Sequence, residues 1–140
     1  LEVTENILMR DSEKSINSLV ELQSMGVNIA IDDFGTGYSS LAQLATLPVD
    51  KLKIDRSFVT TICQDEQSAE ISRTIIALGR TLSKVVIAEG IEYSDQQDFL
   101  RKEGCDEGQG FLFSKPMNGK QFIEFAENNG QQARLTTLQS

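Results

Sequence analysis

Glu2, the adjacent pair Asp32 and Asp33, Lys53 with Asp55, Glu89 with Glu92, and Gln109 each stand at the end of a short apolar run. A buried carboxylate costs several kcal/mol unless it is paired or metal-bound, so acids delivered repeatedly to such positions point to a cation. Two neighbouring carboxylates at a strand-loop junction can address one or two metal ions, and a lysine among them acts electrostatically. Gln109 lies between Gly108 and Gly110, where close backbone approach lets its amide hold a water or a phosphate oxygen. There is no histidine in the chain, which removes histidine zinc sites, histidine general bases and Ser-His-Asp triads. Carboxylate, amide and lysine chemistry remains, and it suits hard cations such as Mg²⁺ or Mn²⁺. Each residue alone has a plainer use: Asp32 as a helix cap, Glu89 as a helix-entry acid, Lys53 as a solvent-facing strand lysine. Their convergence on one rim is what favours the metal.

Thirteen basic against twenty-one acidic side chains give 140 residues a formal charge of −8, which argues against gripping a nucleic acid polymer. A phosphate ligand needs a metal or a local basic group. Cys63 and Cys105 have no metal-ligand or disulfide spacing, and a reducing cytoplasm is the expected compartment. No apolar run approaches the roughly 18 residues of a membrane span, and no signal peptide opens the chain. It starts at Leu1 with a strand-like segment and no initiating methionine, as expected of a piece of something longer.

The elements that must position these residues alternate short apolar runs with longer amphipathic ones, the pattern of parallel strands joined by helices. Strands are expected over residues 1–4, 27–31, 51–54, 85–88 and 110–113. Ser12 is expected to cap a helix with Ile16, Leu19 and Val20 on one face, stopped by Gly26. A short helix carries Leu41, Leu44 and Leu47 before Pro48. The longest runs over residues 68–82, where Ile71, Ile75, Leu78 and Leu82 form one stripe. Ser94 and Gln97 make a capping-box pair for a helix closed by Gly104, and a last helix spans residues 120–128. Domain boundaries are expected at residues 1–129, with 130–140 a polar tail or connection. Five β/α units fit either an open doubly wound sheet of flavodoxin type or just over half of a β/α barrel, a complete one needing about 250 residues.

Five blocks carry a resemblance. They are Leu1-Glu2-Val3-Thr4-Glu5; Asp32-Asp33-Phe34-Gly35-Thr36-Gly37-Tyr38-Ser39-Ser40; Leu52-Lys53-Ile54-Asp55; Ala88-Glu89-Gly90-Ile91-Glu92; and Gly104-Cys105-Asp106 through Gln109-Gly110 to Ser114-Lys115-Pro116-Met117. In this order they resemble the EAL-domain phosphodiesterases that hydrolyse the bacterial second messenger cyclic di-GMP. The resemblance implies an α/β fold, the C-terminal part of a TIM-like (β/α)8 barrel, and it covers residues 1 to about 117.

It also implies roles. Glu2, Asp32, Asp33 and Glu89 are similar to the family's ligands for a two-metal Mg²⁺ or Mn²⁺ site. Lys53 is similar to the lysine that holds the attacking water, Glu89 to the acid beside the second metal, and Gln109 to the amide of the water and phosphate site. Pro116 and Met117 fall in the substrate-binding block. Glu5, Gly35, Thr36 and Gly37 resemble the anchor and loop that couple the metal site to a homodimer interface. Fusion to a sensor or GGDEF-type domain in a longer protein is implied as well. The family's Glu-Ala-Leu segment, a substrate-binding arginine and an amide ligand precede the first block and are not among these 140 residues; Asn118 stands where a second proline is common. The expectation is a cyclic di-GMP phosphodiesterase in the parent protein, with these residues alone inactive. The alternative is a non-catalytic cyclic di-GMP receptor or protein scaffold.

Overall fold

The computed structural model describes residues 1–10, 13–37, 40–114, 120, 121, 123, 124, 136 and 137. Five parallel strands, β1 (Glu2–Thr4), β2 (Ala30–Phe34), β3 (Lys51–Ile54), β4 (Val85–Glu89) and β5 (Glu107–Gln109), lie side by side in chain order. β6 (Thr136–Thr137) adds antiparallel to β5. The crossovers contain α1 (Glu5–Arg10), α2 (Lys14–Ser24), α3 (Leu41–Thr46), α4 (Arg56–Thr61), α5 (Glu66–Thr81) and α6 (Ser94–Glu103). An open doubly wound sheet reverses its strand order at a switch point, and β1 to β5 do not. This is the arrangement of β/α barrel units, and it excludes the flavodoxin alternative.

Leu52 and Ile54 on β3 are fully buried, and Lys53 between them is only 3% exposed, so this strand is covered on both faces. Helix α5 packs on β3 and β4, and α4 on β4. Ile75 and Ile76 are buried, while Ile71, Leu78 and Leu82 pack against the core from its margin. A Cβ on Gly79 would sit 2.2 Å from Val86 Cγ2, which shows how closely α5 lies on β4.

Several boundaries differ from expectation. The strand expected over 27–31 runs Ala30–Phe34 and therefore contains both aspartates. The strand expected at 110–113 is instead Glu107–Gln109. Beyond it the chain turns around Ile91: the Ile91 N–H donates to the Gln109 carbonyl at 3.1 Å, and the Leu112 N–H to the Ile91 carbonyl at 3.0 Å. The cap of α6 is Tyr93, with Gln96 accepting from the Glu92 and Tyr93 N–H groups at 2.8 and 3.1 Å, one residue away from the expected Ser94 and Gln97 pair. Gly104 closes α6 in the left-handed region, φ 84°. Val20 is exposed, so the buried face of α2 centres on Leu19. Ser12 and most of the expected 120–128 helix lie outside the described residues.

Candidate functional site

Parallel strands in chain order bring their carboxyl ends to one rim, and β2 treats its end unusually. Successive strand side chains ordinarily point to opposite faces, which would separate Asp32 from Asp33. Here the β2–β3 register shifts between Ile31 and Phe34, and Asp33 adopts φ 54°, in the left-handed region. The Asp33 N–H donates to Asp32 Oδ1 at 2.9 Å instead of continuing a ladder. The alternation is broken, and Asp32, Asp33 and Glu89 bring carboxylate oxygens within 4.8 Å of one another.

Lys53 stands beneath this group. Its ammonium contacts Glu2 Oε1 at 2.6 Å, Asp32 Oδ1 at 3.9 Å, and the Glu89 carboxylate. Gln109 Nε2 donates to Glu89 Oε1 at 2.7 Å. Burial alone would depress the Lys53 pKa, but hydrogen bonds to Glu2 and Glu89, with the charges of Glu89 and Asp32, outweigh it and raise it above its ordinary value. Burial raises the Glu89 pKa against the pull of Lys53, with Asp32 and Glu2 adding to the rise. Asp33 is raised by partial desolvation of its carboxyl, by the charge of Asp32 and by contact with Asp55. Asp55 itself is lowered: hydrogen bonds from Ser57, which it caps at the start of α4, prevail over burial. Carboxylates whose pKa is raised bind their protons more tightly, and a divalent cation competes with those protons for the same oxygens. Three converging carboxylates with no nitrogen or sulfur donor fit a hard ion such as Mg²⁺ or Mn²⁺.

Glu2 departs from the expected placement. It opens β1 rather than ending it, level with Ala30, and reaches up to Lys53 instead of joining the three clustered acids. Lys53, Asp32, Asp33, Glu89 and Gln109 lie together as the spacing anticipated, and Glu92 turns away to pair with Arg56 at 2.6 Å. Pro116 and Met117 lie outside the described residues.

The loop after β2 is held from below. Glu5 is 3% exposed, and its Oε2 accepts the N–H groups of Gly35 and Gly37, each at 3.2 Å. A Cβ on Gly37 would lie 2.9 Å from the Glu5 carboxyl carbon, and Gly35 has φ 99°, so both glycines serve this approach. Thr36 Oγ1 donates to the Asp33 carbonyl at 2.7 Å, tying the loop to the acidic end of β2. Sequence patterning missed the pair Lys51 and Glu107, joined at 3.0 and 3.2 Å on the same face as Lys53. Their alternation with buried Leu52 and Gly108 was the available signal.

Comparison with known proteins agrees with this geometry. The model of the EAL domain family matches residues 1–116. The chain is 50% identical over 123 residues to the Pseudomonas aeruginosa protein named bifunctional diguanylate cyclase/cyclic di-GMP phosphodiesterase MucR, covering 88% of this chain and 18% of that one. It is 43% identical over 117 residues to cyclic di-GMP phosphodiesterase PdeR of Escherichia coli, covering 84% and 18%. The structure described as the PaMucR phosphodiesterase, c-di-GMP complex, superposes with TM-score 0.83 at 51% identity over 87% of this chain and 49% of that one. A manganese and cyclic di-GMP complex of Klebsiella pneumoniae BlrP1 superposes with TM-score 0.75 at 35% identity, covering 82% and 29%. The chain thus spans less than a fifth of the length of these curated relatives and about half of a solved phosphodiesterase chain. With its five blocks in order, its parallel strands in sequence and its acids gathered around Lys53, the chain belongs to the EAL domain family.

Proposed function

We propose that this chain is the C-terminal part of a cyclic di-GMP phosphodiesterase domain, and that a longer parent protein hydrolyses cyclic di-GMP to the linear dinucleotide. The observation that carries this is the convergence of Asp32, Asp33 and Glu89 above a buried Lys53 that is held by Glu2. Phosphodiester hydrolysis forms a bond from water oxygen to phosphorus and breaks the bond to the 3′ oxygen, which leaves with its electron pair and takes a proton. Glu2, Asp32, Asp33 and Glu89 would hold Mg²⁺ or Mn²⁺, which when bound supplies the positive charge and water activation that the reaction needs. Lys53, with its raised pKa, stays an ammonium and so acts as a hydrogen-bond donor to the attacking water, not as a base. Gln109 fixes the Glu89 carboxylate and presents its amide to water or phosphate. Pro116 and Met117 are assigned to substrate contact by family likeness alone.

Glu5, through Gly35, Thr36 and Gly37, anchors the loop that leads to α3, and we assign this loop and helix to a homodimer interface. Residues 1–129 form the EAL portion and 130–140 a connection; a sensor or GGDEF-type domain elsewhere in a cytoplasmic signalling protein completes the proposal. The test is conversion of cyclic di-GMP by the full-length parent with Mg²⁺ or Mn²⁺. Turnover is expected, and its complete absence sinks the enzyme assignment. Calorimetric binding without turnover would instead establish the receptor alternative.

A further inference from the structure

β3 presents two lysines to the same side of the sheet. Lys51 and Lys53 both line a groove of about 200 Å³ together with Glu2, Ala30, Ile87 and Gln109, while Leu52 and Ile54 are buried on the other side. The register makes their choice of partner significant. Glu2 is level with Ala30 and hence with Lys51, whereas Glu107 is level with Ile87 and hence with Lys53. Straight across the sheet, the pairs would therefore be Lys51 with Glu2 and Lys53 with Glu107. The structure has the opposite: Lys53 reaches Glu2 at 2.6 Å, and Lys51 is held by both oxygens of Glu107 at 3.0 and 3.2 Å. Two ammonium groups, two residues apart on one strand, are thus sorted between two acids on opposite sides. Glu107 is the residue that commits Lys51.

We propose that Glu107 and Lys51 are positioning residues. By holding the Lys51 ammonium down and away from Glu2, Glu107 leaves Lys53 as the single cation among the metal-binding acids and keeps their net negative charge available to a divalent ion. This inference rests on the two-metal reading of the site given above. A second ammonium released beneath the cluster would compete with a cation for Glu2 and repel it through the groove.

The test is calorimetric titration of the metal-free full-length parent with Mn²⁺, with thermal melting of every variant in chelator. Glu107→Gln leaves Lys51 uncompensated and weakens Mn²⁺ binding by about threefold to tenfold, the effect of one charge on a divalent ion ~10 Å away. Lys51→Met leaves Glu107 uncompensated and tightens binding by a similar factor. The double variant Lys51→Met/Glu107→Gln returns near wild type. The opposite signs matter, because a merely structural ion pair would weaken binding, or leave it unchanged, in both single variants. Should Glu107→Gln fail to fold, the double variant set against Lys51→Met reads the same charge: weaker binding in the double variant supports the role, and equal binding overturns it. Weakening in both single variants, or no change in either, overturns the inference and leaves the functional reading standing. A wild-type parent that takes up no Mn²⁺ overturns both.

Discussion

Lys53 concentrates the energetics of the site in one side chain. The residue is 3% exposed, and its ammonium is tolerable there only because Glu2, Asp32 and Glu89 surround it. Lys53→Met leaves those three acids without their counter-charge and is expected to lower parent turnover by at least about a hundredfold. The same change lowers metal-free stability by roughly 3 to 5 kcal/mol; a chelator-state melt that matches wild type would contradict this. Asp33 behaves in the opposite sense. It is exposed, its carboxyl is crowded by Asp32 and Asp55, and its left-handed backbone is one that asparagine also accepts. Asp33→Asn should leave metal-free stability unchanged or raise it by about half a kcal/mol, and calorimetry should show Mn²⁺ binding lost at this position. Asp32, Asp33, Glu89 and Gln109 were legible because each lies at or near the carboxyl end of its strand, and Lys53 from its alternation with Leu52 and Ile54, whereas Glu2 opens β1 instead of ending it. The bulge that turns Asp32 and Asp33 together was not, since it depends on pairing with a strand some twenty residues away. Nor was the crossing of the two lysines, which depends on how five strands are staggered.

At the scale of elements, β3 was legible residue for residue, because Leu52 and Ile54 alternate with lysines between Pro48 and the Asp55 cap. The helix α5 was legible from its stripe, though its start lies at the Asp65 cap, which accepts the Ser68 N–H at 2.9 Å. The segment 110–113 misled because aromatic content favours a strand while Ile91 offers its backbone to a turn. Close packing between elements carries two predictions. Gly79→Ala gains about 1 kcal/mol of helix propensity, yet the added methyl would meet Val86 Cγ2 at 2.2 Å and the Lys84 carbonyl at 3.2 Å. Overpacking prevails, and a net loss of about 1 to 3 kcal/mol is expected by chemical denaturation; adding Val86→Ala should recover part of it. Glu5→Ala strips the N–H groups of Gly35 and Gly37 of their acceptor. That change costs about 1 to 3 kcal/mol, and parent turnover should fall with it, because the loop is continuous with Asp33. Unchanged turnover would separate the loop from the site.

For the whole molecule, the raised Glu89 pKa sets how metal and pH act together. A folded-state pKa above the ordinary 4.5 means that the folded chain binds this proton more tightly than the unfolded one. Glu89 therefore does not disfavour the metal-free fold below 4.5, and its cost grows as pH rises through the elevated value. A divalent cation relieves that cost where the proton no longer does. The melting-temperature gain from Mn²⁺ over chelator should thus shrink as pH is lowered toward 4.5 and widen toward neutrality; a gain independent of pH across this range would refute the assignment. β6 covers the outer edge of β5, whereas β1 is the terminal strand of the described sheet on the other side. Glu2 belongs to that terminal strand, is more than half exposed, and holds the central lysine of the site. On the two-metal reading proposed above, strand addition at β1 and ion capture at the rim would share this side chain, and any free energy by which one favoured the other would be returned in equal measure. A segment that paired with β1 and ordered Glu2 toward the ion would raise the affinity for the ion by some factor, and the bound ion would raise the affinity for that segment by the same factor. Assembly of the sheet and loading of the site would then be a single coupled equilibrium.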